Sequence, residues 1–534
     1  MDFAITLNQT MSDLTSRLIS MPNDKLYMYG GLFALMFLVI VMSSGRENNS
    51  QEKDRVLPPV VSHTVPILGQ AVAFGVQPVK FLQKQEQQHG DCFTFTMMGR
   101  KITAVLNPDG NHFLFNVKLA DATAEGAYDK LTVPVFGDEV VYDVDNAVFM
   151  QQKKFIKDAL TTDAFKSYVP IIMEETRAFF KEWPNKSAQH ELFPDMAELT
   201  IRTASHCLLG KEIRQQLHSN VAKLYHDLDQ GFQPINVFFK WLPLPAYFAR
   251  DRANKIMTET FLKILQERRK REDFENKDIL QSLMEGVYRD GTKMSDKAIA
   301  HMLIAALMAG QHTSSTTVSW IIFELANNPH VIDEILKEQS EVLTGKPDTP
   351  PHELPDFTYE ELRKFTYLDG VMKESLRLHP PIHTIMRLVM RDVKYKGYTI
   401  PAGHFIAGSP AVSQMDPARF PDPEKFDPTR FTASADEGSA EWTINGVDIA
   451  QKSARSNFLP FGAGRHRCIG EAFAYVQIKT IIALFVREFR HQLMKDAEGK
   501  NIFPPMDFTC LIVMPKKPSY IAFERREEFV KKDQ

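Results

Sequence analysis

Phe458-Leu459-Pro460-Phe461-Gly462-Ala463-Gly464-Arg465-His466-Arg467-Cys468-Ile469-Gly470-Glu471 is the stretch with the most specific chemistry in the chain. Its glycines allow a tight backbone turn. Arg465, His466 and Arg467 surround a single thiol with positive or polarisable charge. An apolar-periodic helix follows at once, through Phe473, Val476, Ile481, Leu484 and Phe485. A cysteine just ahead of a helix N-terminus and flanked by arginines is expected to have a depressed pKa and to stand as thiolate. The competing reading is a buried structural cysteine, the commoner fate of a lone Cys. A zinc site needs further sulfur or histidine ligands nearby, and the chain has no CxxC. A phosphate-cradling loop would need a Lys-Ser/Thr pair that is missing here.

Composition narrows the classes further. The 534 residues carry 63 basic and 67 acidic side chains, a net charge of −4, which gives no reason to expect a polyanionic partner such as nucleic acid. Four cysteines (Cys92, Cys207, Cys468 and Cys510) in so long a chain exclude a disulfide scaffold. At 44% hydrophobic residues the chain can bury a large core.

From Leu26 to Met42 every residue is apolar, aromatic or Gly, and no charge falls between Lys25 and Arg46. That run spans about 26 Å as a helix, the low end of what crosses a hydrocarbon core. A cleaved signal peptide is the alternative, since Ser43-Ser44-Gly45 could pass as a cleavage site. The length of the run and its polar upstream segment favour a retained anchor. Arg46, Lys53 and Arg55 after the run tilt the body toward the cytosol. The expected layout is an N-terminal segment over 1–25, placed on the lumenal side, a transmembrane anchor over 26–45, a linker and Pro-rich hinge over 46–66, and a catalytic domain over 67–534.

Within the body, Cys92–Leu106 reads as a hairpin turning at Gly99-Arg100. Long helical patterns dominate from about 150 to 380. The strongest helix starts behind Ser295 and runs to Asn327. Another ends at His379-Pro380-Pro381, and residues 384–408 read as strands with turns at Gly397 and Gly403. Residues 432–456 read as a polar surface excursion, and Tyr128–Asp143 as a loop with aromatics. A mainly α body with small β-sheets fits better than alternating βαβ units.

Three further patterns stand out. Glu374 and Arg377 form an ExxR pair on one helix face, with Pro428-Thr429-Arg430-Phe431 about fifty residues on. Ala309-Gly310-Gln311-His312-Thr313-Ser314-Ser315 interrupts an apolar stripe, where a polar helix face with a core histidine is the plain reading. The third is the aromatic stretch at 128–143.

Phe461-x-x-Gly464-x-His466-x-Cys468-x-Gly470 resembles the haem-binding loop of the cytochrome P-450 family. Most members have Arg where this chain has His466. The 128–143 stretch and Gly310–Ser315 resemble the sterol 14α-demethylase branch, fungal type, over essentially residues 55–534. The resemblance implies the cytochrome P-450 fold with haem b, whose iron (the metal site) Cys468 ligates as thiolate. It implies that Glu374, Arg377 and Arg430 form a structural triad. Thr313 would hydrogen-bond oxygen in a locally distorted groove of the long helix, with His312, where most members have an acid, relaying protons. Tyr128, Tyr142, Lys153, Arg387 and His466 would hold the haem propionates, with Phe461 and Gly464 shaping the loop. Phe136, Phe232, Phe238, Gly310, His383, Ile385, Met386 and Leu511 would line an apolar sterol pocket.

The implied activity is removal of the 14α-methyl of lanosterol or eburicol by three successive oxidations, each using O2 and two electrons from NADPH. No nicotinamide or flavin fingerprint is visible, so a separate NADPH–cytochrome P-450 reductase is expected, with cytochrome b5 as a further donor. Docking is expected near Lys452, Arg455 and Arg467. Membrane lipid and azole inhibitors complete the implied partners, at the endoplasmic reticulum. Two rivals are a cytochrome P-450 acting on a fatty acid or xenobiotic, and a non-catalytic haem or sterol carrier on the same fold.

Overall fold

Cys92–Met97 (β1) and Arg100–Val105 (β2) pair antiparallel, Cys92 opposite Val105 and Met97 opposite Arg100, with Met98 and Gly99 turning at positive φ. This hairpin opens a computed structural model that describes residues 55–62, 68–216, 220–232, 244–270, 278–432, 443–444, 447–448 and 454–532. The apolar run at 26–42, Phe238, Lys452 and most of the 432–456 excursion lie outside those residues. Among the described residues no helix is long and apolar enough to cross a membrane.

Twelve described helices reach ten residues or more. They are α1 (Pro78–His89), α2 (Asn107–Asn116), α3 (Glu125–Phe136), α4 (Asn146–Lys157), α5 (Thr162–Glu182), α6 (Leu192–Leu209), α7 (Asn220–Asp229), α8 (Pro245–Arg268), α9 (Asp296–Asn327), α10 (Pro329–Thr344), α11 (Thr366–Leu378) and α12 (Glu471–Glu488). The remaining strands of the main sheet are β3 (Ala122–Thr123), β5 (Ile385–Val389) and β6 (Phe405–Gly408), in the order β1-β2-β6-β5-β3 with only β2 and β6 parallel. A second sheet carries β4 (Lys186–Glu191), β7 (Phe489–Lys495), β8 (Asn501–Ile502) and β9 (Tyr520–Arg525) in the order β8-β7-β9-β4.

The long helix α9 begins as its sequence demands: the Ser295 hydroxyl caps it by accepting from the Ala298 amide at 3.0 Å. It runs through the centre of the helical core, with Leu303, Leu307, Trp320 and Phe323 fully buried. Truncating Phe323 to Ala would cost about 3–5 kcal/mol through lost burial and the void left behind.

The stretch at 128–143 departs from the expected loop. Its first half is helix α3, and Val141–Asp143 is a single 3₁₀ turn. Thr123 accepts from the Gly126 amide at 3.2 Å near the helix start, and Pro134 falls in the last turn. Asn254 of α8 caps the other end, donating to the Val135 carbonyl at 2.8 Å. Gly137 then breaks out at φ 101, where a Cβ would lie 2.3 Å from the His301 ring. Tertiary contacts, invisible to local pattern, make this helix.

Candidate active site

The cysteine loop folds on itself before α12. The Cys468 amide donates to the Phe461 carbonyl at 3.0 Å, and Gly462 and Gly464 take φ of 67 and 63. Gly464 is also sterically required, because a Cβ there would sit 2.9 Å from the Phe115 carbonyl oxygen. Phe461 packs against Tyr475 with ring centroids 5.8 Å apart.

Cys468 keeps solvent-accessible surface, yet protein atoms crowd it on nearly every side. That combination describes a side chain facing an interior hollow. The expected depressed thiol is corrected here. Burial raises the Cys468 pKa, and the opposing Gly470 amide, Lys153 and Arg467 do not overcome it. Arg467 is spent on Glu471, to which it donates at 2.6 and 2.8 Å. The free thiol is therefore not made a thiolate by its neighbours; coordination to a metal would do so.

Helix α9 carries an open strip of its own that would face this hollow. Almost every residue of its central turns is buried, but Ala306, Ala309, Gly310 and Thr313 retain accessible surface. Their spacing of three and four puts them on one face. A Cβ on Gly310 would meet nothing within 4 Å, so open space lies beside it. The expected local distortion is absent, for α9 is continuous and the Thr313 hydroxyl donates to the Ala309 carbonyl at 2.7 Å. Small side chains, rather than a broken helix, make the groove. His312 points elsewhere: it is buried, with Nε2 2.6 Å from Asp229 Oδ1 at the end of α7.

Among the described residues, a polar rim with a single cation, Arg387, borders the hollow. Tyr128 and Tyr142 stack at 5.6 Å, and the Tyr128 hydroxyl accepts from the Met386 amide at 2.9 Å. Burial raises both phenol pKa values. The Tyr142 ring lies 6.3 Å from that of His466. Burial, with Arg387, Lys153 and Arg465 adding positive charge, pushes His466 down to about 3. Its Nδ1 is buried without a hydrogen-bond partner, and among the described residues buried Arg387 donates only to the Met386 carbonyl, at 2.7 Å. Lys153, expected at a haem propionate, also reaches the main chain of the cysteine loop. Its ammonium donates to the Arg465 and Arg467 carbonyls at 3.0 and 2.9 Å, bracing the cysteine loop.

These residues suit a haem. One sulfur cannot hold a metal ion by itself, so a metal at Cys468 would have to bring its own ring of ligands. An uncountered Arg387 and an orphaned His466 nitrogen suit carboxylates at the ring's edge.

The apolar wall is partly as expected. Phe136 and Phe232 meet edge-to-face at 5.6 Å. His383 sits between Phe74 and Phe508, at 5.9 and 5.7 Å, and burial lowers its pKa to about 4. Ile385 and Met386 on β5, and Leu511, are half-buried. Phe74, Phe508 and Asp229 were not legible in the sequence, because nothing local marks them.

Behind the loop, Arg377 donates to both Glu374 oxygens at 2.7 Å, and Arg430 Nε to Oε1 at 3.2 Å. Arg377 also reaches the Gln414, Pro423 and Lys425 carbonyls, so this fully buried cation is satisfied on all sides. Of the expected docking cations, Arg455 pairs with Asp109 at 3.0 Å and Arg467 with Glu471.

A family model described as Cytochrome P450 matches residues 58–523. A lanosterol 14-alpha demethylase of Cunninghamella elegans is 45% identical, over 88% of this chain and 91% of its own. An eburicol 14-alpha-demethylase of Uncinula necator is 42% identical, over 97% of this chain and all of its own. Among solved structures, a retinoic acid-bound cyanobacterial CYP120A1 superposes with a TM-score of 0.73 at 22% identity, covering 88% of this chain and all of that one, which speaks to fold alone.

Proposed function

This chain belongs to the cytochrome P450 family, and from that membership we propose a haem-thiolate monooxygenase that removes the 14α-methyl group of lanosterol or eburicol. The observation that carries the reading is near full-length similarity to fungal sterol 14-alpha demethylases. The methyl group is oxidised to an alcohol, then an aldehyde, and leaves as formate with a Δ14 double bond.

Haem, when bound, supplies the activation of O2, with electrons drawn from NADPH through a separate reductase. The chain's residues do the rest. Cys468 would ligate the iron, and the braces from Lys153 hold its loop in place. Tyr128, Tyr142, Arg387 and His466 would bind the propionates. Phe136, Phe232, His383, Ile385, Met386 and Leu511 would hold the sterol and exclude water. Ala309 and Gly310 leave room beside the methyl group, and Thr313 can turn its hydroxyl from the Ala309 carbonyl to the substrate side. His312, held by Asp229 away from that side, could pass a proton there after turning from the carboxylate.

The run at 26–42 would anchor the chain in the endoplasmic reticulum membrane, body to the cytosol. Exposed Val56, Val60, Val72 and Val76 suit a surface near lipid. The test is turnover of lanosterol and of eburicol with NADPH and a reductase, scored by formate release and by the reduced carbon-monoxide spectrum. A thiolate-type spectrum without formate from either sterol would leave the family and remove the substrate.

A further inference from the structure

The corner between Phe136 and Tyr142 is backbone in a conformation that ordinary side chains avoid. Gly137, Glu139 and Val141 all take left-handed φ, at 101, 65 and 55. For a β-branched valine that is a true outlier, and such outliers persist only where their surroundings over-determine them.

The surroundings here converge on one side chain. Gln152 of α4 is fully buried, and its amide is used in every direction. Nε2 donates to the Glu139 carbonyl at 2.9 Å and to the Tyr288 hydroxyl at 3.1 Å, while Oε1 accepts from the Val141 amide at 3.3 Å. The amide thus stands in for a strand neighbour, pairing with a carbonyl and an N–H two residues apart. The outer side is pinned separately: Ser295 donates to the Glu139 carboxylate at 2.7 Å, and the Glu139 amide to Asp143 at 2.8 Å. Tyr142 follows the corner directly and stacks on Tyr128.

We propose that Gln152 is a positioning residue for the monooxygenase site: it holds the left-handed corner and thereby sets Tyr142 against Tyr128 and His466. Its neighbour Lys153 braces the cysteine loop from the same helical turn. One turn of α4 therefore sets the spacing between the aromatic rim and the sulfur. This rests on the reading of Tyr142 as part of the site.

The test uses the full-length haem-loaded protein and the variants Gln152→Met, Gln152→Glu, Tyr142→Ala and Gln152→Met with Tyr142→Ala. Met keeps the volume and loses every hydrogen bond; Glu keeps an acceptor and loses the two-donor amide nitrogen. Two readouts are taken: hydrogen–deuterium exchange of the peptide covering 137–143, and lanosterol affinity from the haem absorbance change. Gln152→Met is expected to speed exchange at the corner and to weaken lanosterol about tenfold, as loss of buried hydrogen bonds would. Coupling through Tyr142 predicts that the double variant binds no more weakly than Tyr142→Ala alone. Unchanged exchange, unchanged affinity despite faster exchange, or additive losses would each overturn the proposal. If Gln152→Met does not fold, Gln152→Glu carries the same comparison. A wild-type protein that responds to neither lanosterol nor eburicol would instead sink the substrate reading, and an azole titration of the same variants then decides the role of Gln152.

Discussion

His312 Nε2 stands 2.6 Å from Asp229 Oδ1, joining the middle of α9 to the last residue of α7. The imidazole is buried and the carboxylate only partly so, which makes the pair a bridge from the protein surface to the helix that walls the hollow. His312 directly precedes Thr313, whose face opens on that hollow. A proton reaching the substrate side by this route must cross both residues. Asp229→Asn keeps the shape of the bridge and removes its charge. It is expected to leave sterol affinity within about twofold while slowing turnover about tenfold or more, in the range typical of a lost proton-transfer group. Turnover equal to wild type would exclude the bridge from proton delivery.

Cys468→Ser tests the metal ligand. A hydroxyl is too weakly acidic to replace a thiolate at iron. The variant should fold, since it exchanges one sulfur for one oxygen, and should lose the thiolate-type carbon-monoxide spectrum. An intact spectrum would refute ligation by Cys468.

The Glu374–Arg377–Arg430 cluster predicts a loss of stability rather than a change of chemistry. Glu374 and Arg377 are fully buried, so removing one strands the other's charge. Glu374→Ala should destabilise by about 3–5 kcal/mol. The measurement is thermal unfolding alongside haem content: a variant that unfolds like wild type would show that the cluster is dispensable.

Acid sensitivity follows from histidines held neutral. Burial lowers His383 and His491 from an ordinary 6.5 to about 4. The unfolded chain takes up these protons as pH falls below about 6.5, while the folded chain resists until about 4. Stability is therefore full above that window and declines through it, by up to about 3 kcal/mol per histidine. His491→Leu should flatten the fall in melting temperature between pH 6.5 and pH 4 relative to wild type. An unchanged slope would mean that His491 titrates normally in the folded chain.

What the sequence made legible was whatever is encoded locally. The Cys92–Val105 hairpin and the Ser295 cap of α9 need only neighbouring residues to form, and both are found. The cysteine loop was legible because its glycines are steric necessities, Gly464 most plainly. The stretch at 128–143 was not, since α3 depends on Asn254 and His301, more than a hundred residues away. Gln152, and the bonds of Lys153 to the cysteine loop, were missed for a related reason. Both bond to main-chain atoms, and a carbonyl leaves no mark in the identity of its residue. The thiol failed differently: its neighbours' charges were visible, but burial, the larger effect, was not.

Thr313 tests mechanism most directly, because its hydroxyl now has a competing partner. It donates to the Ala309 carbonyl at 2.7 Å, so serving the substrate side requires a rotation about χ1 that gives up this bond. The net loss is small, about 1 kcal/mol, because a back-bonded helix hydroxyl adds little and the carbonyl keeps its helix partner. The rotation is therefore accessible at each turnover. Thr313→Ala removes the hydroxyl together with the γ-methyl, and should leave sterol binding and NADPH consumption near wild type while diverting electrons to hydrogen peroxide. Thr313→Ser restores a hydroxyl on the same carbon and should restore most of the formate produced per NADPH. The measurement is the ratio of formate and peroxide to NADPH consumed in all three proteins. An Ala variant that couples as tightly as wild type, or a Ser variant no better than Ala, would leave Thr313 a helix residue whose hydroxyl only satisfies Ala309.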